Sequence, residues 1–197
     1  MKNLVAIIAG EPNSINSEII AKAWKKNKSR KNLLIIGNYS LLKKQIIQMG
    51  FKIPLIKIIK LKDFKREERL FILDVPLNFK SIFNVNYSET KTYVLRCLDI
   101  AHSLAKNKKI SGFINSPIDK RVFNKEYLGV TEYLSKKNKC NEKEVMMIHN
   151  KELSVVPLTT HIDIKNVTNK INFNLIKRKV VTLNRSYFKL FKKKPKI

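Results

Sequence analysis

An α/β fold built on a parallel sheet is what this sequence predicts, and three observations predict it. Between residues 4 and 115, short apolar runs alternate with segments of helical spacing. The runs are continuous rather than alternating, as in strands covered on both faces. Segments of helical spacing lie between most successive runs, as crossover connections between parallel strands require and tight hairpins do not.

Residues 4–9 form the first apolar run and break at Gly10. Residues 17–26 then carry Ile19, Ile20, Ala23 and Trp24 at helical steps, giving strand, loop, helix. The pattern repeats with a strand at 33–36, ended by Gly37, and a helix from about Ser40 to Met49. Apolar runs at 53–59 and 70–75 supply two more strands. Residues 89–106 predict a long amphipathic helix, because Val94, Leu98, Ala101 and Ala105 recur every three or four positions, with Ser88 placed to cap its start. A strand at 112–114 leads into Ser116-Pro117. Beyond it, 131–139 reads as a helix. Residues 145–148 and 153–158 read as strands that can pair antiparallel around a polar turn at Asn150. Phe173–Phe191 places Ile176, Val180, Leu183, Tyr187 and Leu190 on one helical face. Pro195-Lys196-Ile197 reads as the start of a further strand, and a chain ending there would leave that strand's backbone groups unpaired.

A chain of 197 residues with 44% hydrophobic content can bury one substantial core, or one domain and part of a second. The first apolar run is too short for a secretory signal or a membrane span, and no later stretch is long enough either. Cys97 and Cys140 are too few and too far apart for a disulfide framework or a four-cysteine metal site, so reduced thiols in a cytoplasmic protein are expected. The net charge of +26 raises nucleic acid as a partner. Lysine is scattered through nearly every segment beside abundant isoleucine and asparagine, which reads as codon bias rather than a nucleic-acid footprint. The same positive field favours a phosphorylated small substrate.

The five glycines are isolated, so neither a dinucleotide fingerprint nor a phosphate-cradling P-loop is present. Glu67 and Glu68 lie between Arg66 and Arg69, as on a solvated charged face. His102, near a helix's apolar stripe, and His149, closing a strand, read as structural. His161 follows a strand end at Thr159-Thr160, where α/β folds collect ligands, and is the candidate metal ligand.

Four local motifs carry a family resemblance. The stretch from Ala9 to Ile19, AGEPNSINSEI, is similar to the first loop M-G-D-P-A-G-I-G-P-E-I of the 4-hydroxythreonine-4-phosphate dehydrogenases. Asn115 to Lys120 resembles that family's T-A-P-I-N-K, Gly129-Val130-Thr131-Glu132 its G-H-T-E, and Thr159-Thr160-His161-Ile162 its T-T-H-I. They occur in the family's order and cover the whole chain.

The resemblance implies an isocitrate-dehydrogenase-like, two-domain α/β/α architecture. Residues 1–115 would be the first domain, and residues 116–197 a partial second domain that lacks its C-terminal portion. It implies NAD-dependent oxidation and decarboxylation of a phosphorylated hydroxy-amino acid in pyridoxal phosphate biosynthesis. A homodimer would place its active sites in the clefts between domains. A divalent metal (zinc, magnesium or cobalt), held by three histidines, would polarise the reacting hydroxyl; His161 falls on the first of the three. The substrate-binding pair falls on Val130 and Thr131, with Val130 at the family's histidine position, and Lys120 matches a lysine facing the cleft. Ser14 and Asn16 stand where the family has glycines, so any positive φ there is harder to adopt. The remaining two histidines and most cofactor contacts would lie beyond Ile197, which points to a complementing C-terminal chain. The alternative is a non-enzymatic remnant, or a basic module binding nucleic acid or another polyanion.

Overall fold

Five of the apolar runs assemble into one parallel sheet, as their continuous hydrophobicity predicts: β1 (Val5–Ile8), β2 (Leu33–Gly37), β3 (Leu55–Ile58), β4 (Leu70–Asp74) and β5 (Gly112–Asn115). A computed structural model describes residues 3–27, 30–124, 126–140, 144–150 and 152–197. These residues fall into two compact units, one ending at Val122 and one running from Phe123 to Ile197.

In the first unit the strand order is β3-β4-β2-β1-β5, with every neighbour parallel. The inner strands are the most apolar: Leu34, Ile35, Ile36 and Ile72 are fully buried. The outer strand β3 carries Lys57, paired with Asp74 at 2.8 Å, and follows Pro54, two features that blunt a free sheet edge. Those features also explain why β3 is shorter than the apolar run at 53–59.

The crossover helices α1 (Asn16–Lys26) and α2 (Tyr39–Gln48) pack together, and Ile20, Trp24 and Leu42 join Ala9, Ile35, Leu70 and Ile72 in one apolar cluster. Helix α3 (Tyr87–Lys106) packs against β1, β2 and β5, burying Val94, Cys97, Leu98 and Ala101. Caps fix where these helices begin. The Asn38 side chain accepts the Leu41 N–H at 2.9 Å and donates to the Val75 carbonyl at 2.9 Å. At α3 the cap is Asn86, which accepts the Ser88 N–H at 2.9 Å. The expected cap, Ser88, lies inside the helix, its hydroxyl bonded to Asn86 Oδ1.

The second unit is sparser. Helix α4 (Val130–Lys137) buries Tyr133, whose ring lies 5.6 Å from Phe123 and 5.4 Å from Tyr127. The two expected strands do pair antiparallel, but only as the two-residue segments β6 (Ile148–His149) and β7 (Ser154–Val155). They are short because nothing among the described residues extends their ladder, and Ile148 stays 63% exposed. Helix α5 (Val167–Lys170) is one turn; α6 (Phe173–Phe191) is long and has no fully buried residue. Residues 195–197, expected to open a strand, are irregular, having no strand beside them among the described residues.

Candidate functional site

The loop after β1 and the loop after β5 leave the carboxyl ends of two neighbouring parallel strands. In open α/β sheets this crevice at the carboxyl ends of the strands is where ligands bind. Two of the four sequence motifs lie here.

The two loops are held against each other by their own backbone. Glu11 donates its N–H to the Pro117 carbonyl at 3.2 Å, and Ser116 donates to the Ile8 carbonyl at 3.2 Å. Gly10 permits this approach. Its φ is +74°, and a Cβ there would sit 2.5 Å from Asn16 Nδ2 and 2.7 Å from the Pro117 oxygen.

Ser14 and Asn16, by contrast, have no positive φ, so the strain expected from replacing two glycines does not arise. Both instead supply hydrogen bonds. Ser14 Oγ donates to the Glu11 carbonyl at 2.9 Å, and Asn16 Nδ2 spans the loops by donating to the carbonyls of Pro117 at 2.8 Å and Glu11 at 3.3 Å.

A third segment, 76–86, is tied to the same loop. Asn13 exchanges two hydrogen bonds with the Val85 backbone, at 2.8 and 2.7 Å. Buried Gln45 donates to the carbonyls of Pro12 at 2.8 Å and Ile82 at 2.5 Å. Sequence reasoning passed over Asn13, Asn16 and Gln45 as contributors. The signal was available for Gln45, a polar residue within the apolar stripe of Leu41, Leu42 and Ile46.

Charge in the crevice centres on Glu11, Asp119 and Arg121. Asp119 accepts the Arg121 backbone N–H at 2.9 Å and its Nε–H at 2.8 Å, and these bonds hold the Asp119 carboxyl below its ordinary range. Glu11 is pushed the other way, first by burial and then by the negative charge of Asp119, against smaller opposing effects from the Asn13 N–H and Arg121. Glu11 Oε2, Asn16 Oδ1 and Ser17 Oγ are buried without a hydrogen-bond partner among the described residues. The two carboxyls are thus shifted in opposite directions, Asp119 down by its arginine and Glu11 up by burial.

Of the four residues expected in the site, Lys120 is exposed and begins the 3-10 turn Lys120–Phe123 beside Asp119 and Arg121. Val130 and Thr131 open helix α4 in the second unit, Val130 half-buried and Thr131 exposed. His161 is exposed in an irregular loop with φ +57°; no strand runs into it, contrary to expectation. His149 does close a strand, its Nδ1 2.7 Å from Ser154 Oγ and its ring 4.9 Å from Phe191.

A site built from three metal-binding side chains does not fit these residues. No three histidines, cysteines, aspartates or glutamates come together among the described residues, and His161 stands outside any such group. No helix among them is long and apolar enough to cross a membrane.

Curated relatives named 4-hydroxythreonine-4-phosphate dehydrogenase include that of Wigglesworthia glossinidia brevipalpis, 28% identical over 200 residues that cover 95% of this chain and 58% of that protein. The Aquifex aeolicus (strain VF5) relative is 29% identical over 203 residues, covering 100% of this chain and 62% of that protein. A solved structure, a putative 4-hydroxythreonine-4-phosphate dehydrogenase from Salmonella typhimurium, superposes with a TM-score of 0.87 at 20% identity, over 99% of this chain and 62% of that one, and shows the shared fold. This chain therefore spans about three-fifths of the length of the relatives it matches. The family described as pyridoxal phosphate biosynthetic protein PdxA matches residues 29–197, most of the chain, and the chain belongs to that family.

Proposed function

We propose that this chain supplies the first part of a dehydrogenase that oxidises 4-hydroxythreonine 4-phosphate with NAD in pyridoxal phosphate biosynthesis, in the cytoplasm. The observation that carries the proposal is the crevice between the β1 and β5 loops, fastened by Gly10, Asn16 and Pro117, in a member of the PdxA family. Residues 1–115 serve as the first domain and 116–197 as part of a second. Lys120 and Thr131 bind the phosphorylated substrate, Thr131 through its hydroxyl. Val130 occupies a histidine position and withdraws a donor, which weakens recognition of the usual substrate.

His161 gives one ligand to a divalent metal, zinc, magnesium or cobalt, which would polarise the substrate hydroxyl when bound. In this reading the other metal ligands are histidines that this chain does not carry. A complementing C-terminal chain supplies them, in a homodimer, together with most of the NAD contacts.

Turnover tests this directly. The chain is assayed for NAD reduction with 4-hydroxythreonine 4-phosphate and each metal, alone and with the part of the Wigglesworthia relative that it does not match. The expected result is no turnover alone and turnover with that part present, lost in His161→Ala. Turnover that survives His161→Ala overturns the ligand assignment, and none with the added part overturns the proposed activity. Nucleic-acid binding that falls steeply with salt would favour a basic module instead.

A further inference from the structure

Arg121 lies one residue beyond Lys120, in the loop after β5, and its guanidinium is held in place although the side chain is 80% exposed. Asp119 Oδ1 accepts the Arg121 backbone N–H at 2.9 Å. Its Oδ2 accepts from Nε at 2.8 Å and pairs with Nη2 at 2.5 Å. The ring of Tyr87, at the start of α3, lies 5.7 Å from the guanidinium carbon.

An exposed ion pair between residues two apart contributes little to stability. What this one fixes is direction. Asp119 takes the Nε side of the guanidinium fork and leaves its Nη1–Nη2 end for a ligand. Ordering a long side chain is part of the cost of binding an anion, and here the side chain is already ordered. Asp119 stands where the T-A-P-I-N-K motif has asparagine, whose neutral amide would hold the fork less strongly. Lys120, exposed between the two, leaves the three-residue stretch with a surplus of positive charge once Asp119 is counted.

We infer that Arg121, oriented by Asp119, is a substrate-binding residue that takes the phosphate of the phosphorylated hydroxy-amino acid on the Nη1–Nη2 end of its fork, with Lys120 beside it. A planar fork meets two phosphate oxygens at once, which a lysine ammonium does not. The inference rests on the reading of this crevice as the substrate site and adds the residue that reads the phosphate. Asp119 is a positioning residue, acting through Arg121.

The test is a titration of the isotope-labelled full chain at fixed ionic strength, followed by nuclear magnetic resonance at the Arg121 Nε–H and at the backbone amides of 116–122. The ligands are inorganic phosphate, 4-hydroxythreonine 4-phosphate, 4-hydroxythreonine without its phosphate, and NAD. The expected result is a saturable shift with the first two and none with 4-hydroxythreonine. Arg121→Gln weakens the binding of 4-hydroxythreonine 4-phosphate at least about tenfold, and Arg121→Lys, which keeps the charge and loses the fork, restores only part of it. Because Arg121 is exposed, both variants keep the parent thermal midpoint. Asp119→Asn separates orientation from charge. Charge alone predicts tighter binding once a negative neighbour is gone; an oriented fork predicts binding weakened about threefold, with the Arg121 Nε–H resonance displaced in the free chain. Lys62→Gln, beyond the opposite edge strand β3, leaves the affinity unchanged.

The inference is overturned by the absence of a shift with 4-hydroxythreonine 4-phosphate, by unchanged affinity in Arg121→Gln, or by tighter binding in Asp119→Asn. It is also overturned if Lys62→Gln weakens binding as much as Arg121→Gln does, which would make the whole chain's positive field responsible. Shifts at Arg121 as large with NAD or with 4-hydroxythreonine would assign the residue to another group and overturn it too. Binding that depends on Arg121, without NAD reduction when the unmatched part of the Wigglesworthia relative is added, sinks the proposed activity alone. NAD reduction whose KM for the phosphorylated substrate is unaltered in Arg121→Gln sinks the assignment of Arg121 alone.

Discussion

At the scale of single residues, the crevice depends on side chains whose roles are geometric. Glu11 offers a measurable consequence. Burial and Asp119 raise its carboxyl above the ordinary value of 4.5 in the folded protein. The folded state therefore holds the Glu11 proton to higher pH than the unfolded chain does. Its contribution to stability is fully present below the unfolded value and is lost as pH rises through the folded one. Glu11→Gln keeps the neutral form at every pH, so this variant should gain stability relative to the parent as pH rises from below 4.5 to neutrality. Denaturant midpoints across that range check it, and a pH-independent difference between the two proteins would show that Glu11 titrates normally. Asp119 runs in the opposite sense: the stability from its arginine bonds is present above its unfolded value and is lost as pH falls through the folded one.

The site was less legible in sequence than its motifs implied. Gly10 and the Ser116-Pro117 turn were found by pattern, because a strand ending in glycine has few meanings. Asn16 was misjudged: a residue standing at a glycine position suggested strain, whereas its amide replaces conformational freedom with a hydrogen bond across two loops 101 residues apart in sequence. No local pattern encodes such a contact. His161 illustrates the reverse error. Its place after an apolar run suggested a strand end, yet the strand it would close stops at Val155, short of Thr159.

At the scale of elements, the helices and parallel strands were readable because each signal is local: periodicity within a helix, continuous hydrophobicity within a buried strand. Helix starts were read less well, since Ser88 and Asn86 are both good capping residues two positions apart and only the geometry chooses. The choice has a testable magnitude. Asn86→Ala removes the accepting oxygen at the start of α3 and should cost about 1 kcal/mol. Ser88→Ala removes only a hydroxyl inside the first turn and should cost less than about 0.5 kcal/mol. Urea unfolding of the two variants separates them; equal costs would mean the helix is capped elsewhere. Strands β6 and β7 pair antiparallel as the sequence predicts, but they are shorter than predicted for another physical reason. Their apolar runs are of ordinary length, but strand length is set by partners, and among the described residues each has only the other.

At the scale of the whole molecule, stability is distributed unevenly. The first unit buries α3 and the inner strands to 0% exposure at Leu34, Ile36, Ile72 and Leu98. The second rests on the Phe123, Tyr127 and Tyr133 ring cluster and leaves α6 without a buried residue. Opening free energy follows buried contact, so amides of β1, β2 and β4 should exchange slowest. Those of α6 should exchange at least roughly a hundredfold faster than those of α3. Hydrogen exchange of the isolated chain measures both, and equal protection of α3 and α6 would show that the second unit is as well consolidated as the first.

The strand order has one further consequence, in time rather than in space. Of the five strands in this sheet β1 leaves a ribosome before the others, yet it lies between β2, which follows within thirty-odd residues, and β5, whose last residue is Asn115. One side of β1 can be paired early, along with β4 and β3 beyond it. Its other side waits for α3 to be synthesised and to cross back over the sheet. The loop bearing Gly10 is made before β2, but its partner carbonyl on Pro117 arrives only after that return. During synthesis, then, the crevice is the last part of the first unit to close, and a nascent chain halted before β5 would display an unpaired edge of β1 to whatever strand lay nearest.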